Sequence, residues 1–240
     1  MARPSTTKIR SSLAAHFLLT LLSESELDLL AGHARIRRYS TGNFLFTQGA
    51  RDSQAFLVVS GRFKVNSIGS RGNELLLGIL EAGDLTGVIT LIDDAQRFVN
   101  AIALRSSEVI VIDRRHLLPM LEQNTEALLA TLRMVNGQLR EAVSLCQING
   151  LLDSQGRLWS SLMSLSKRYG RPIDRKGGLR IDHGLSQEDL AATIGMTRVV
   201  VNRALRSWRE LGLVETGRGY VTILKPDLLE QLVLHPSKDT

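Results

Sequence analysis

The chain has 240 residues, 43% of them hydrophobic, and a formal net charge of +6. This length and composition suit one large or two modest globular domains with hydrophobic cores. No segment approaches the roughly 20 apolar residues that span a bilayer, so we expect no membrane partner. The apolar stretch Leu13–Leu22 is short and interrupted by His16. It predicts an amphipathic helix rather than a signal peptide, and hence a cytoplasmic location.

The single cysteine, Cys146, excludes an internal disulfide and a Cys-rich metal site. The histidines are scattered, and no pair has metal-ligand spacing. They are His16, His33, His116, His183 and His235. A Gly-rich phosphate loop and a nucleophile elbow are also absent from the sequence. We therefore expect no metal, no cofactor and no enzyme activity; a catalytic protein with a regulatory domain is the competing class.

Two short helices are predicted first, over Leu13–Leu22 and Glu24–His33. Ser23 and Glu26 can form a capping box for the second. From residue 36 to residue 112 the pattern changes to short β-type runs separated by glycines. The clearest runs are Ala55–Val59, Lys64–Ile68, Leu75–Leu80 and Val109–Ile112. Short strands at this spacing predict a small β-barrel or roll.

A long helix is predicted next. Asp113 should cap a short helix, and Asn124 with Thr125 should open the long one. Along it, apolar residues alternate at spacings of four and three, which is the pattern of a heptad seam. The seam consists of Leu128, Leu132, Val135, Leu139, Ala142 and Cys146. A two-stranded seam predicts a homodimer; the alternative is an amphipathic helix that lies on its own barrel.

The chain after Gly150 is typical of a second domain. A helix is predicted over Ser154–Tyr169, and a loop with a short strand over Arg171–His183. The stretch Leu185–Leu213 then predicts two helices with a tight turn between them. This is the spacing of a helix-turn-helix.

The helix-turn-helix has clear end signals. Ser186 should cap a first helix over Gln187–Ile194, which Gly195 ends. Thr197 should cap a second helix that runs to about Glu210. Its predicted buried face is Val201, Leu205 and Trp208.

The exposed positions of the second helix point to DNA. From Thr197 to Arg209 there is no acidic residue. The arginines are Arg198, Arg203, Arg206 and Arg209. Such a face attracts phosphates, and its first residues can reach base edges. An ordinary surface helix mixes charge signs to form i,i+4 pairs, which makes it the poorer interpretation. Downstream, Val214–Thr222 predicts a hairpin wing with Arg218 at its tip.

These motifs resemble the CRP/FNR family of regulators over roughly residues 17–225. The N-terminal part is similar in YSTGNFLFTQGARDSQAFLVVSGRFKV and LEAGDLTGVITLI, the C-terminal part in LSQEDLAATIGMTRVVVNRALRSWRELGLVE. The resemblance implies an α+β fold: a jelly-roll-like, cyclic-nucleotide-binding-like β-roll after short N-terminal helices, a long dimerisation helix and a winged helix-turn-helix. The corresponding ranges are 1–123, 124–150 and 151–240. It also implies a homodimer on duplex DNA, with RNA polymerase as a further partner.

By resemblance, DNA contacts lie on both helices of the helix-turn-helix, and the hairpin pattern adds Arg218 on the wing. They are Ser186, Gln187, Thr197, Arg198, Val199, Asn202, Arg203, Arg206 and Arg218. At Val199 the family commonly has a glutamate, which accepts from cytosine N4. Valine cannot accept a hydrogen bond but can pack on a thymine methyl. We therefore expect a near-palindromic operator that differs from the family's best-known half-site.

The sensor part departs from relatives that bind cyclic AMP. By resemblance, Val88 replaces the glutamate that holds the ribose, and Val99 and Asn100 replace the Arg-Ser pair that holds the phosphate. On the long helix the corresponding residues are Gln138, Ala142 and Val143. We expect no cyclic-AMP response, with Arg97 a solvated loop residue.

The alternative is an effector site rebuilt around Arg97, because this segment is one residue longer here. Its candidate residues are Gly87, Arg97 and Asn100. A third class of function, an interaction module whose helix-turn-helix is only structural, also stays open. So do activation and repression.

Overall fold

A computed structural model describes residues 4–70, 72–173 and 177–234. The chain divides into two units, residues 1–67 with 77–140 and residues 68–76 with 141–240. Within the described ranges, every helix is too short or too polar to cross a membrane. The α+β fold, with an N-terminal β-roll, a long helix and a C-terminal helix-turn-helix, is the predicted one.

The first unit opens with two helices, α1 (Pro4–Ala14) and α2 (Glu24–His33), joined through a 3-10 turn at Leu19–Leu21. The second helix has its predicted bounds and capping box. Ser23 Oγ accepts from the Glu26 N–H, and the Glu26 carboxylate accepts from the Ser23 N–H.

The predicted helix over Leu13–Leu22 is wrong, because α1 lies earlier in the chain and ends at Ala14. The chain turns at His16, whose Nδ1 accepts the Leu18 N–H at 3.3 Å in place of a helical carbonyl. This turn lets Leu13 and Leu18 both reach the core, where each is fully buried. The apolar residues of Leu13–Leu22 thus reach the core from the two sides of a turn and not along one face of a helix.

Within the described residues, eight strands follow in two four-stranded sheets. Their bounds are β1 (Arg35–Tyr39), β2 (Phe44–Phe46), β3 (Gln54–Ser60), β4 (Arg62–Ile68), β5 (Glu74–Glu81), β6 (Leu85–Thr86), β7 (Asn100–Ala103) and β8 (Ser107–Asp113). The strand orders are β1-β8-β3-β6 and β2-β7-β4-β5. Neighbouring strands are mostly distant in sequence, as in a roll and unlike a meander.

The burial of β3 and β8 explains why their sequences are continuous hydrophobic runs. They pair antiparallel, and both of their faces are buried. Leu57 and Ile110 join the cluster that contains the helical leucines, whereas Phe56 and Val109 join the cluster that contains Phe63 of the other sheet. A strand buried on both faces loses the polar alternation of a half-exposed one.

Three helices complete this part of the chain: α3 (Val88–Asp93), α4 (Arg114–Gln123) and α5 (Thr125–Leu151). Asn124 Oδ1 accepts the Ala127 N–H at 3.0 Å, so α5 opens as predicted. Asp113 precedes α4 but does not cap it. Its carboxylate accepts from Arg35 and Gln54 instead, because both donors lie on adjacent strands.

Two histidines that are far apart in sequence meet in this unit. His33 ends α2 and His116 lies in α4, and their rings stack with 4.0 Å between centroids and 5° between planes. Desolvation, followed by the charges of His33 and Arg115, lowers the pKa of His116. Among the described residues no three metal-ligating side chains converge. His235 lies outside those residues.

The second unit is built around a four-stranded sheet in the order β11-β12-β10-β9. Its elements are α6 (Ser154–Tyr169), β9 (Gly170–Ile173), β10 (Gly178–Ile181), α7 (Gln187–Ala192), α8 (Arg198–Glu210), β11 (Val214–Gly217), β12 (Tyr220–Ile223) and α9 (Pro226–Leu234). Helix α6 has its predicted bounds. The stretch Arg171–His183 holds most of β9 and all of β10, which pair antiparallel, where one short strand was predicted. Trp208 is fully buried at the centre of the core, and its Nε1 donates to Gln155 Oε1 at 2.9 Å.

Candidate DNA-binding surface and sensor cavity

The turn between α7 and α8 is set by a cap and a glycine. Ser186 Oγ accepts the Asp189 N–H at 3.0 Å and starts α7. The helix ends two residues earlier than predicted, at Ala192, and the chain then turns through Gly195 at φ +61°. A left-handed residue at this place lets α8 leave in a new direction.

Helix α8 presents one buried face and one exposed face. Its buried residues are Val201, Ala204, Leu205 and Trp208. At 100° per residue, Val199, Arg203 and Arg206 follow one another on the opposite side, and we call these three residues the recognition ridge. All three are exposed. Arg198 and Asn202, also exposed, lie on its flank.

Thr197 holds the predicted position before α8, with extended backbone, but its side chain makes no cap hydrogen bond. The first turn of α8 therefore keeps N–H groups that its own cap does not satisfy. Ser186 and Thr197 are exposed and Gln187 is half-buried, at the starts of the two helices.

The arginines of α8 differ in what they already contact. Arg206 Nε donates to Glu210 Oε1 at 2.9 Å. This i,i+4 pair uses the acidic residue that directly follows the acid-free stretch Thr197–Arg209. Arg209 Nη1 reaches Thr216 Oγ1 at 3.4 Å. Arg198 and Arg203 form neither a hydrogen bond nor an ion pair with the described residues. Two exposed guanidinium groups on this face are thus uncommitted.

The wing is the β11–β12 hairpin, with Arg218 exposed in its turn. Beside it lies a charged cluster that sequence reasoning missed. The Arg180 guanidinium sits 3.7 Å from the Tyr220 ring centroid, and Asp182 bonds both Arg180 and Arg171 at 2.9 and 2.8 Å. Arg180 and Asp182 are neighbours in sequence, whereas the pairing of β10 with β9 and β12 brings Arg171 and Tyr220 to them.

The first unit contains a small cavity beside β6 and the start of α3. Its volume is about 50 Å³. Pockets that hold drug-sized ligands measure roughly 300–1,000 Å³. Polar and apolar residues share the lining. The apolar ones include Phe46, Leu85, Val88, Ile89, Val99 and Met134, and the polar ones are Thr86, Thr90, Arg97 and Gln138.

Arg97 lies in this cavity wall, so the interpretation of Arg97 as a solvated residue is wrong. Its side chain is 2% exposed. Nε donates to Asp52 Oδ2 at 3.1 Å, and Nη2 donates to Asp52 Oδ1 and the Gln54 carbonyl. The guanidinium carbon also lies 4.5 Å from the Phe46 ring centroid. The longer segment before β7 was the sequence signal for this inward position.

The two other effector candidates are placed differently. Gly87 lines the cavity at φ +84°, and a Cβ there would lie 2.7 Å from both Arg97 Nη1 and the Gln54 carbonyl. Asn100 opens β7, is buried, and accepts the Gln48 N–H at 2.8 Å through Oδ1. It lies outside the cavity lining.

Helix α5 contributes Met134 and Gln138 to the cavity, while Ala142 and Val143 are exposed. Its buried residues Ala127, Ala130 and Thr131 lie on a different face from the seam. Seam residues Leu128, Leu132 and Leu139 are 48%, 55% and 60% exposed. Ala142 and Cys146 are exposed as well, and Val135 is half-buried. The described residues of the chain therefore leave most of the seam uncovered.

Known proteins resemble both parts of the chain. Residues 36–124 match the cyclic nucleotide-binding domain, and residues 156–232 match the Crp-like helix-turn-helix domain. The anaerobic regulatory protein of Bacillus subtilis is 29% identical over 87% of this chain and 88% of its own length. The cyclic AMP receptor protein of Thermus thermophilus is 29% identical over 88% of this chain and 94% of its own length.

Solved structures show the same fold. A mutant of CooA from Carboxydothermus hydrogenoformans has a TM-score of 0.71 at 22% identity, covering 83% of this chain and 87% of that one. The c-di-GMP-responsive regulator CLP of Xanthomonas campestris has a TM-score of 0.70 at 21% identity, covering 85% and 99%. With its matching domains, its helix-turn-helix and its regulator relatives, the chain belongs to the CRP/FNR family of DNA-binding transcription regulators.

Proposed function

We propose that the chain acts as a homodimer that reads a near-palindromic operator with the recognition ridge. The observation that carries this proposal is the exposed face of α8, where Arg198 and Arg203 have no hydrogen-bond or ion-pair partner among the described residues. Uncommitted guanidinium groups can form bidentate bonds to guanine O6 and N7. The further contact residues in this proposal are Ser186, Gln187, Thr197, Asn202 and Arg218. Their exposed or half-buried side chains suit contacts to phosphate or base edges.

The dimer follows from the exposed seam. Three leucines at heptad positions on one helix face water in the single chain, and a second copy of α5 would cover them. The two copies of α8 would then enter successive major grooves about 34 Å apart. In this proposal residues 1–123 sense, 124–150 dimerise and 151–240 bind DNA. The protein works in the cytoplasm with RNA polymerase, by binding and not by catalysis.

We further propose that cyclic AMP does not control this regulator. A cyclic nucleotide brings a phosphodiester anion that needs a paired cation when it leaves water. The one arginine in the cavity wall, Arg97, already bonds Asp52. Val88 and Val99 add no polar partner, and the cavity is too small for a nucleotide in this conformation.

The second candidate function is a response to a different small effector through the same cavity. The inward position of Arg97 favours it. Such a ligand would have to exchange with the Asp52 carboxylate, which makes a compact anion the matching chemistry.

Selection of bound duplexes from a random DNA library tests the main proposal. We expect enrichment of an inverted repeat whose half-sites lie one helical turn apart, without added metabolites. Selection of a single half-site would contradict the dimer. Recovery of no preferred sequence would contradict specific reading by α8.

A further inference from the structure

We propose that Val199 makes the operator specific for thymine, by packing against the thymine 5-methyl group in the major groove. This inference rests on the proposed reading of DNA by α8. It assigns one base of the half-site to one side chain.

The position of Val199 on α8 is the first observation. It lies at the N-terminal end of the recognition ridge, in the first turn of the helix, and is 67% exposed. At 100° per residue it is about 160° away from Val201, which is fully buried. It is the only large hydrophobic side chain of α8 that is exposed. Burying an apolar group that stands on a basic face is favourable only when a partner removes it from water.

The chemistry of base edges identifies the partner. In the major groove, guanine, adenine and cytosine present hydrogen-bonding groups, and thymine adds a methyl group. The Val199 side chain has no donor or acceptor, so the methyl group is the base-edge feature that it can match. Valine is also stiff at χ1 in a helix, which fixes where its two methyl groups point.

The neighbouring arginine fixes where the thymine should be. Arg203 follows Val199 by four residues on the same ridge, about 6 Å along the helix axis. Base pairs are stacked about 3.4 Å apart. The thymine should therefore lie within about two base pairs of the guanine that Arg203 contacts.

Deoxyuridine substitution tests this contact, since it removes only the methyl group. Wild-type protein and the Val199→Ala variant are titrated with the selected operator and with an operator carrying deoxyuridine at the assigned thymine. We expect the substitution to weaken wild-type binding about fourfold, the equivalent of one buried methyl-sized group. For Val199→Ala, the two operators should bind within about 1.5-fold of each other.

Val200→Ala is the matched control, because it removes the same atoms one residue away, at a half-buried position off the ridge. It should keep the wild-type discrimination between thymine and deoxyuridine. As a gain test, the assigned thymine is replaced by cytosine or by 5-methylcytosine. The operator with 5-methylcytosine should bind wild-type protein more tightly than the operator with cytosine.

Equal wild-type affinity for the thymine and deoxyuridine operators at every thymine of the half-site would overturn the inference. So would unchanged discrimination in Val199→Ala. Either result leaves the proposed function standing if an inverted repeat is still selected. Failure to select any sequence would instead remove the proposed function.

Discussion

Arg203 and Arg218 are both exposed arginines, but they occupy different parts of the proposed DNA-binding surface. Arg203 stands on the recognition ridge and Arg218 at the tip of the wing. Arg203→Ala should lose about 1–3 kcal/mol of binding free energy on the selected operator and relax the preference at one base pair. Titration of single-base operator variants measures this. Unchanged sequence preference in Arg203→Ala would show that α8 is not the reading helix.

Arg218→Ala is the comparison variant for that experiment. A phosphate contact carries no sequence information, so its loss should weaken binding to all sequences alike. The slope of log affinity against log salt should also fall by about one. A changed base preference in Arg218→Ala would instead indicate that Arg218 contacts a base edge in a groove.

The pair of Arg97 and Asp52 gives a stability prediction. Arg97 is almost fully buried, while the Asp52 side chain is 29% exposed. Asp52→Ala leaves the buried guanidinium with carbonyl acceptors only, at a cost of about 3 kcal/mol in the free energy of unfolding. Urea unfolding measures the loss, with Asp52→Asn, which keeps an acceptor, expected between the two. A loss below about 0.5 kcal/mol would indicate that the pair adds nothing.

This pair also shows where residue-level prediction fails. The family resemblance identifies Gly87, Val88 and Val99 as cavity residues, because they lie within or shortly after the segment LEAGDLTGVITLI. The sequence places Arg97 in solvent, because the partner Asp52 is 45 residues away and only the fold brings them together. The same applies to the contact of Arg180 with the Tyr220 ring, which the pairing of β10 with β12 makes possible. Local pattern shows the type of a side chain, but burial and pairing depend on distant strands.

At the level of elements, helices with their own end signals are predicted well. Helix α2 has a capping box, and α6 has Asp153, whose carboxylate accepts the Gly156 N–H. Both have their predicted bounds. Helix α1 fails, because the apolar residues Leu13 and Leu18 match a helical spacing although a turn separates them. In α8, the acid-free stretch Thr197–Arg209 ends one residue before Glu210, whose carboxylate pairs with Arg206.

The seam of α5 makes a prediction about assembly. Leu132→Glu combined with Leu139→Glu places two charges on a surface that the proposed dimer buries, so the variant should be monomeric. Sedimentation at micromolar concentration measures this, and operator binding should be largely lost. Arg133→Glu with Arg140→Glu is the matched control, with the same spacing one residue further along α5, and should stay dimeric. A monomeric wild-type protein would contradict the dimer.

The contact between α2 and α4 makes a prediction about pH. The folded protein lowers the pKa of His116 below its unfolded value of about 6.5. In acid the unfolded chain then binds the proton more readily, so stability falls as the pH drops through this window. His116→Gln should show a smaller loss between about pH 7.5 and 5.5 in thermal unfolding. His16, whose pKa burial also lowers, remains in both proteins. An identical loss in both would assign the effect to other groups.

The whole molecule is expected to bind DNA without a cyclic nucleotide. Calorimetric titration with cyclic AMP and cyclic GMP should show no binding in the micromolar range, and neither compound should change operator affinity by more than about twofold. Several lost polar contacts, each about 1.5–3 kcal/mol, account for this. Micromolar binding that Arg97→Ala abolishes would instead establish the rebuilt effector site.

The uncovered seam of α5 also bears on gene dosage. While the proposed dimer is scarce, its concentration rises with the square of the number of chains, so doubled synthesis fills a weakly occupied operator about four times as often. Synthesis and degradation of the protein would then set the output of its target genes. A cell could switch those genes steeply by changing only how much of this chain it makes.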